Sequence, residues 1–488
     1  MKTKDVIPCG ILAFIPQQSL EAQSPSPNIV LVFLDDMGYG DLGVTGARGY
    51  QTPNIDQLAH EGVLYTHFYV AQAVSSASRA GLLTGCYPNR IGFAGALNPL
   101  AEVGINDQEM TMAELLKQKN YNCGIFGKWH LGHHKPFLPL QHGFDEYLGL
   151  PYSNDMLPMW YDGTILTPEN STHRKVSFPP LPLTDGNEKV RDLRTLDDQS
   201  QLTTLYTERA VSFIRKHKDQ PFFLYLPHSM PHTPLAVSSK FKGKSALGIY
   251  GDVMMEIDWS VGQIMATLKE LNLEQNTLVI FTSDNGPWLN FGEHAGSAAG
   301  LREGKGTTWE GGQRLPCIMR WKGTIKEGQI CDQVISAIDL FPTIAAISGA
   351  PLPLRQIDGV NIWPLISGET SQSPRRYFLY YYDANSLKAV RNERWKLVFP
   401  HTFSSYEDVI PGKDGEPGDR LQKEVKGIEL YDLQRDPGER YNVKELYPQV
   451  VEELQKIADD ARSDLGDDLT GHQGTGRRPI GKIHPFPL

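Results

Sequence analysis

Short apolar runs set what this chain can fold into. Asn28-Ile29-Val30-Leu31-Val32-Phe33-Leu34, Asn122 to Phe126, Phe222-Phe223-Leu224-Tyr225-Leu226 and Asn276-Thr277-Leu278-Val279-Ile280-Phe281-Thr282 lack the polar alternation of half-exposed strands. They suit strands buried on both faces of a sheet, which need helices on either side. Helical stretches fall among them, at Asn54 to Glu61, Glu114 to Lys119, Asp252 to Leu271 and Asp339 to Ser348. Pro316 to Trp321 adds another strand. The pattern predicts an α/β fold, a large mixed or parallel sheet sandwiched by helices.

Beyond about residue 375 the texture changes. Arg376 to Asp383, Leu387 to Phe399 and Gly427 to Leu433 are strand-like, and Tyr447 to Leu465 is an amphipathic helix. This predicts a smaller C-terminal antiparallel sheet plus helix. The expected division is a signal peptide at 1–22, a catalytic α/β domain at 23–375 and a C-terminal α+β subdomain at 376–488. The signal rests on Lys2 and Lys4, the apolar stretch Val6 to Ile15 and a cleavage position at Ala22. No other apolar run approaches the roughly 20 residues of a membrane span. The net charge of -10 argues against a nucleic-acid partner, which needs a basic face. Cys86, Cys123, Cys317 and Cys331 form no Cys-x-x-Cys pair, so buried free thiols are expected.

Each buried strand ends in a polar cluster, where open α/β sheets place ligands. Asp35-Asp36 and Ser283-Asp284-Asn285-Gly286 supply Asp35, Asp36, Asp284 and Asn285, four oxygen donors that suit one hard cation, Ca²⁺ or alternatively Mg²⁺. Adjacent carboxylates repel unless a cation or proton is shared. Lys128 and His130 lie two apart in Gly127-Lys128-Trp129-His130-Leu131-Gly132. His228 and His232 fall in a proline-fixed turn, and Lys305 lies in a Gly-rich loop. Arg79, Lys128 and Lys305 suit a small tetrahedral anion, and His130 and His232 suit proton transfer. Ser75-Ser76-Ala77-Ser78-Arg79-Ala80-Gly81-Leu82-Leu83-Thr84-Gly85 places Ser75 at or just before a helix N-terminus, with Arg79 one turn on.

This last stretch resembles the signature of the formylglycine sulfatases, in the alkaline phosphatase superfamily. There a Cys or Ser is followed by any residue, Pro or Ala, usually Ser, then Arg, with Thr-Gly further on. Ser75, Ala77, Arg79 and Thr84-Gly85 take those places. Asp35-Asp36, the Lys128/His130 motif, Pro231-His232-Thr233-Pro234, Asp284-Asn285 and Gly304-Lys305-Gly306 resemble the family's further motifs in order. The likeness extends to the branch containing arylsulfatase A and N-acetylgalactosamine-6-sulfatase. In that branch the counterpart of Pro151-Tyr152-Ser153-Asn154-Asp155 reaches the substrate sulfate.

The resemblance implies a sulfuric ester hydrolase whose Ser75 is oxidised to formylglycine and helps to hold the cation. A hydrated aldehyde attacks sulfur, His232 with Lys305 protonates the leaving alcohol, and His130 takes a proton as sulfate is released. Galactose or N-acetylgalactosamine sulfate within a mono- or oligosaccharide is the implied substrate, attacked in exo fashion. Ser153, Asn154, Asp155, Glu293, His294 and Arg302 are candidates for contacting it. Most familiar members carry Cys where this chain has Ser75. The Ser type implies an anaerobic radical maturing enzyme and a bacterial, periplasmic or secreted protein. A Cys replaced by Ser to trap substrate is the alternative origin. Two other functions stand beside this one: a phosphate or phosphonate ester hydrolase of the same superfamily, and a silent sulfated-glycan binder with unmodified Ser75.

Overall fold

The computed structural model describes residues 26–483. The expected signal peptide lies outside the described residues. An 11-stranded mixed sheet forms the larger part of the chain. Its centre is Asn28–Leu34, parallel to Phe222–Pro227 on one side and to Thr277–Ser283 on the other. Asn122–Lys128 follows Phe222–Pro227, again parallel, and then comes Glu146–Leu150. On the far side Arg314–Arg320 runs antiparallel to both Thr277–Ser283 and Val63–Tyr69.

All seven residues of Asn28–Leu34 are buried. Ile29, Leu31 and Phe33 face a core shared with Leu82, Leu83, Leu115 and Ile344. Val30, Val32 and Leu34 face the opposite core, with Tyr206, Phe213, Ile257 and Val261. Strand periodicity thus feeds two helical layers at once, and each large apolar side chain contributes about 1.5–3 kcal/mol by leaving water.

The C-terminal region forms a four-stranded antiparallel sheet: Phe378–Tyr382, Ser386–Arg391, Trp395–Val398 and Glu429–Asp432. The helix Pro448–Leu465 packs on it through Leu454, Ala458, Ala461 and Leu465. Leu387 to Phe399, expected as one strand, is two. The Asn392 side-chain oxygen accepts from the N–H groups of Arg394 at 3.0 Å and Trp395 at 2.8 Å, a local turn that outcompetes the ladder. A hairpin, His401–Ser405 with Leu421–Val425, follows. The helix Leu202–Lys216 was not predicted, because its threonines and charges mask the apolar positions at 202, 206, 210 and 213.

A buried ionic network joins the two sheets. The Glu310 carboxylate accepts from the hydroxyls of Tyr69 at 2.6 Å and Tyr380 at 2.7 Å. Lys396 Nζ lies 3.3 Å from Glu310 and 2.7 Å from Glu439, with all three side chains fully buried. Glu439 also accepts from the Glu310 N–H at 2.8 Å. Burial pushes the Glu439 carboxyl up to about 7, helped by Glu310 and opposed by Lys396. The folded chain therefore holds a proton that the unfolded chain releases near the ordinary carboxyl value. Stability should fall as pH rises from about 4.5 to about 7. Urea midpoints across that window should fall less steeply in Glu439→Gln; parallel profiles would contradict this.

Candidate active site

The sheet delivers the predicted residues to one end. Leu34 pairs with Ser283, so Asp35 and Asp284 emerge side by side. The Asp36 N–H donates to Asp284 Oδ1 at 3.2 Å. Lys128 is the last residue of its strand. Ser75 opens the helix Ser75–Thr84, which Gly85 ends in the left-handed region at φ 69°. The loop carrying Lys305 is tied on both sides: Lys305 N–H donates to Pro287 O and Gly306 N–H to Ala73 O, each at 2.9 Å. Glycine is required where this loop meets the strand end, since a Cβ on Gly286 would lie 1.8 Å from Gly311 O.

A buried cluster results. Ser75 Oγ donates to Asp35 Oδ1 at 3.1 Å and lies 3.2 Å from Lys128 Nζ. Lys128 Nζ also contacts the second Asp35 oxygen and donates to Ser153 Oγ at 3.2 Å. Arg79 grips Asp284 Oδ2 at 2.8 Å and donates to Lys128 O at 3.1 Å. Lys305 Nζ lies 2.8 and 2.9 Å from the two Asp36 oxygens. Three carboxylates and three cations thus balance. Asp36 and His130 adopt φ values of 66° and 64°, strain that the surroundings must hold in place.

The charges set the protonation states. Burial raises Asp35, but the Lys128, Arg79 and Lys305 charges outweigh it and hold the carboxyl well below its usual range. Burial and the Asp35 charge push Asp284 up to about 6, against Arg79 and Lys128. Burial lowers both His130 and His232, so both imidazoles are neutral at pH 7. Lys305 is raised, because Asp36 and Asp35 overcome its burial. His130 Nε2 lies 2.8 Å from Leu97 O, which can only accept; the proton is on Nε2, and Nδ1, buried and without a partner, carries a lone pair. His232 Nδ1 likewise donates to Thr233 O at 2.5 Å, and Nε2 faces Asp36 at 3.6 Å.

The donor set fits a hard divalent cation. Ligand atoms of Asp35, Asp36 and His232 lie within 4.8 Å of one another. Asn285 Nδ2 donates to Asp36 Oδ1 at 2.7 Å, while its Oδ1 is buried with no protein partner. An orphaned amide oxygen beside three carboxylates is the arrangement expected of an oxygen-ligated ion.

Of the candidate substrate contacts, Ser153 joins the cluster through Lys128. Asn154 instead braces the His232 turn, donating to His232 O at 3.2 Å and Pro234 O at 3.1 Å. Asp155 accepts from the Tyr161 hydroxyl at 3.3 Å and pairs with Lys175 at 3.7 Å. Glu293 accepts from Asp414 N–H, and Arg302 stacks 3.5 Å over Trp309 and donates to Glu439 O. Those contacts hold Glu293 and Arg302 against the C-terminal region. His294 is half-buried with Nδ1 unpartnered. Trp288, absent from the sequence reading, lies 5.5 Å from the His232 ring and 4.5 Å from Lys305 Nζ. Its place four residues after Asp284 was the available signal. Tyr161 arrives on a turn and Lys175 on the short 3-10 helix Arg174–Ser177, with no pattern to find.

The model of the family described as Sulfatase matches residues 27–350. The chain belongs to the sulfatase family. Models described as the C-terminal region of aryl-sulfatase and the C-terminal part of N-sulphoglucosamine sulphohydrolase match residues 373–479 and 304–409 of this sulfatase. Arylsulfatase A of Bos taurus is 38% identical over 463 residues, covering 90% of this chain and 88% of the relative. N-acetylgalactosamine-6-sulfatase of Canis lupus familiaris is 37% identical, covering 88% and 84%. The crystal structure of PsFucS1 sulfatase from Pseudoalteromonas sp. superimposes with a TM-score of 0.80 at 28% identity, covering 93% and 92%. The sulfatase is accordingly a hydrolase of sulfuric esters, with the alkaline phosphatase-like sheet expected of it. Among the described residues no helix is long and apolar enough to cross a membrane.

Proposed function

We propose that this sulfatase removes sulfate from a sulfated carbohydrate, with Ser75 as the residue converted to formylglycine and one divalent cation, Ca²⁺ or Mg²⁺, at Asp35, Asp36, Asp284 and Asn285. The observation that carries the reading is the position of Ser75 Oγ, between Asp35 and Lys128 at the start of a buried helix. Hydrated formylglycine supplies two hydroxyls on one carbon, and the cation supplies charge to polarise the reacting oxygens.

The chain's own groups do the rest. Arg79 and Lys128 neutralise charge at the sulfate end, and the helix dipole adds to them. Lys305 and His232 stand together on the Asp36 side. Because Lys305 keeps its proton and His232 is neutral, Lys305 is the proton reserve for the leaving oxygen, and His232 Nε2 is placed to relay it. His130 Nδ1, an unpartnered lone pair, is the acceptor for the hydroxyl proton on the other side. The half-exposed Trp288 face beside His232 suits a sugar ring, and N-acetylgalactosamine-6-sulfatase among the relatives favours a galactose-type sugar. A periplasmic or secreted bacterial enzyme matured by an anaerobic radical enzyme agrees with Ser at position 75.

The direct test is the mass of the Ser75 peptide from protein made with an anaerobic maturing enzyme. The reading expects a peptide lighter by two hydrogens, or that mass plus a water. A plain serine, together with faster turnover of aryl phosphate than of the matched aryl sulfate, would overturn it.

Cation binding has its own readout. Adding Ca²⁺ at about 100 times its Kd should stabilise the wild-type chain by about 2.7 kcal/mol. Asp36→Asn and Asn285→Leu should lose most of that thermal shift. An undiminished shift in both variants would place the ion elsewhere.

A further inference from the structure

One cation at the mouth of the site has no assigned task. Arg420 is exposed and makes no ion pair among the described residues. Its position is fixed by the hairpin: Ser405 pairs with Leu421, so the next cross-strand position sets Arg420 opposite Tyr406. The Tyr406 hydroxyl donates to the backbone oxygen of Lys305 at 2.5 Å. Arg420 is therefore one side chain away from the loop that carries the Lys305 ammonium.

The hairpin tip is pinned over the site. The N–H groups of Gly412 and Gly418 donate to Asn290 O at 2.8 and 2.7 Å, and Asn290 Nδ2 donates back to Gly418 O at 3.1 Å. Asn290 lies between Trp288 and Phe291, on which Tyr161 packs edge-on at 6.0 and 4.7 Å. A Cβ on Gly415 would come within 2.7 Å of Tyr161 O, so the tip meets that wall closely. Burial raises the phenols of Tyr161 and Tyr406, and in both Arg420 opposes the rise. Neighbouring cations are already matched: Lys423 by Asp408 at 2.8 Å, Arg440 by Glu407 at 2.7 Å and Lys175 by Asp155 at 3.7 Å.

We propose that Arg420, framed by Tyr161 and Tyr406, is a second oxyanion subsite that takes a further sulfate or a carboxylate on the same glycan as the ester being cleaved. The proposal rests on the carbohydrate reading above. A guanidinium offers a planar fork of donors that matches either oxyanion in two-point contact. The Tyr161 and Tyr406 hydroxyls, committed to Asp155 and to Lys305 O, fix the walls on either side of it, and the backbone link through Tyr406 sets its distance from Lys305.

The test uses the full chain and competitors of nitrophenyl sulfate hydrolysis: N-acetylgalactosamine monosulfate, its disulfate, and a disaccharide bearing one sulfate and one uronate carboxylate. The same compounds are titrated calorimetrically into full chain that keeps a plain Ser75, so that affinity is read without turnover. In the wild type the disulfate or the uronate compound should bind about tenfold more tightly than the monosulfate. Arg420→Ala and Arg420→Gln should erase most of that ratio, and Arg420→Lys should keep part of it. Which compound loses its advantage identifies the group that Arg420 takes. Ratios unchanged in both Arg420→Ala and Arg420→Gln would overturn the subsite while leaving sulfated-sugar hydrolysis standing. Failure to cleave any sulfated sugar, with the Arg420-dependent ratio intact, would instead overturn the function and support the subsite.

Discussion

Ser75→Ala is expected to lower kcat/KM for sulfate esters by about 10⁴-fold or more, the scale on which losing a covalent nucleophile acts. The fold should tolerate it. Ser75 contributes one hydroxyl to the cluster, and removing it should cost about 1 kcal/mol of stability. Wild-type chain made without a maturing enzyme should match the variant in rate, because one plain hydroxyl cannot both carry and release sulfate. Rates measured with and without maturation should therefore diverge in the wild type and coincide in Ser75→Ala. Full activity from a chain with plain Ser75, verified by mass, would sink the assignment of that residue.

The second large effect is on stability. Lys396→Met should destabilise the chain by about 3–5 kcal/mol, since Glu310 keeps a buried charge without its nearest cation and Glu439 must take up a proton to stay buried. Arg391, 3.8 Å from Glu310, cannot serve both. A loss of that size would shift the urea midpoint well beyond error. Adding Glu439→Gln to Lys396→Met should recover part of it, because the amide stays neutral without taking up a proton. A loss below about 1 kcal/mol would mean that the network is not what holds the two sheets together. Activity should fall alongside, because Glu310 ends the loop that begins with Lys305.

Much of this was legible in the chain. Uninterrupted runs such as Asn28–Leu34 can be buried only on two faces, and that requirement alone gives a sheet between helical layers. The ends of those runs pointed to Asp35, Asp36, Asp284 and Asn285, since register in a parallel pair carries side-by-side residues to the same edge. The rest depended on long-range contact. Tyr406, Arg420 and Asn290 converge through a hairpin that carries no periodic signal. Glu293 and Arg302 are near the motifs in sequence, yet backbone partners in the C-terminal region hold them. The break at Asn392 was local and readable, but it was hidden by strongly strand-forming neighbours.

The helix that begins at Ser75 is buried along all ten of its residues, and Ser75 is 2% exposed. Its closure depends on partners far downstream. The Lys305 loop leans on Ala73, and its far end, at Glu310, is held from downstream by Tyr380, Lys396 and Glu439. On a chain made from the N-terminus, Ser75 emerges more than three hundred residues before the last of these. Translation thus opens a period in which the serine is reachable and then shuts it. Under the proposed conversion, the enzyme that oxidises Ser75 acts against a clock set by the synthesis of the C-terminal sheet, so slowing or truncating that sheet would lengthen its access.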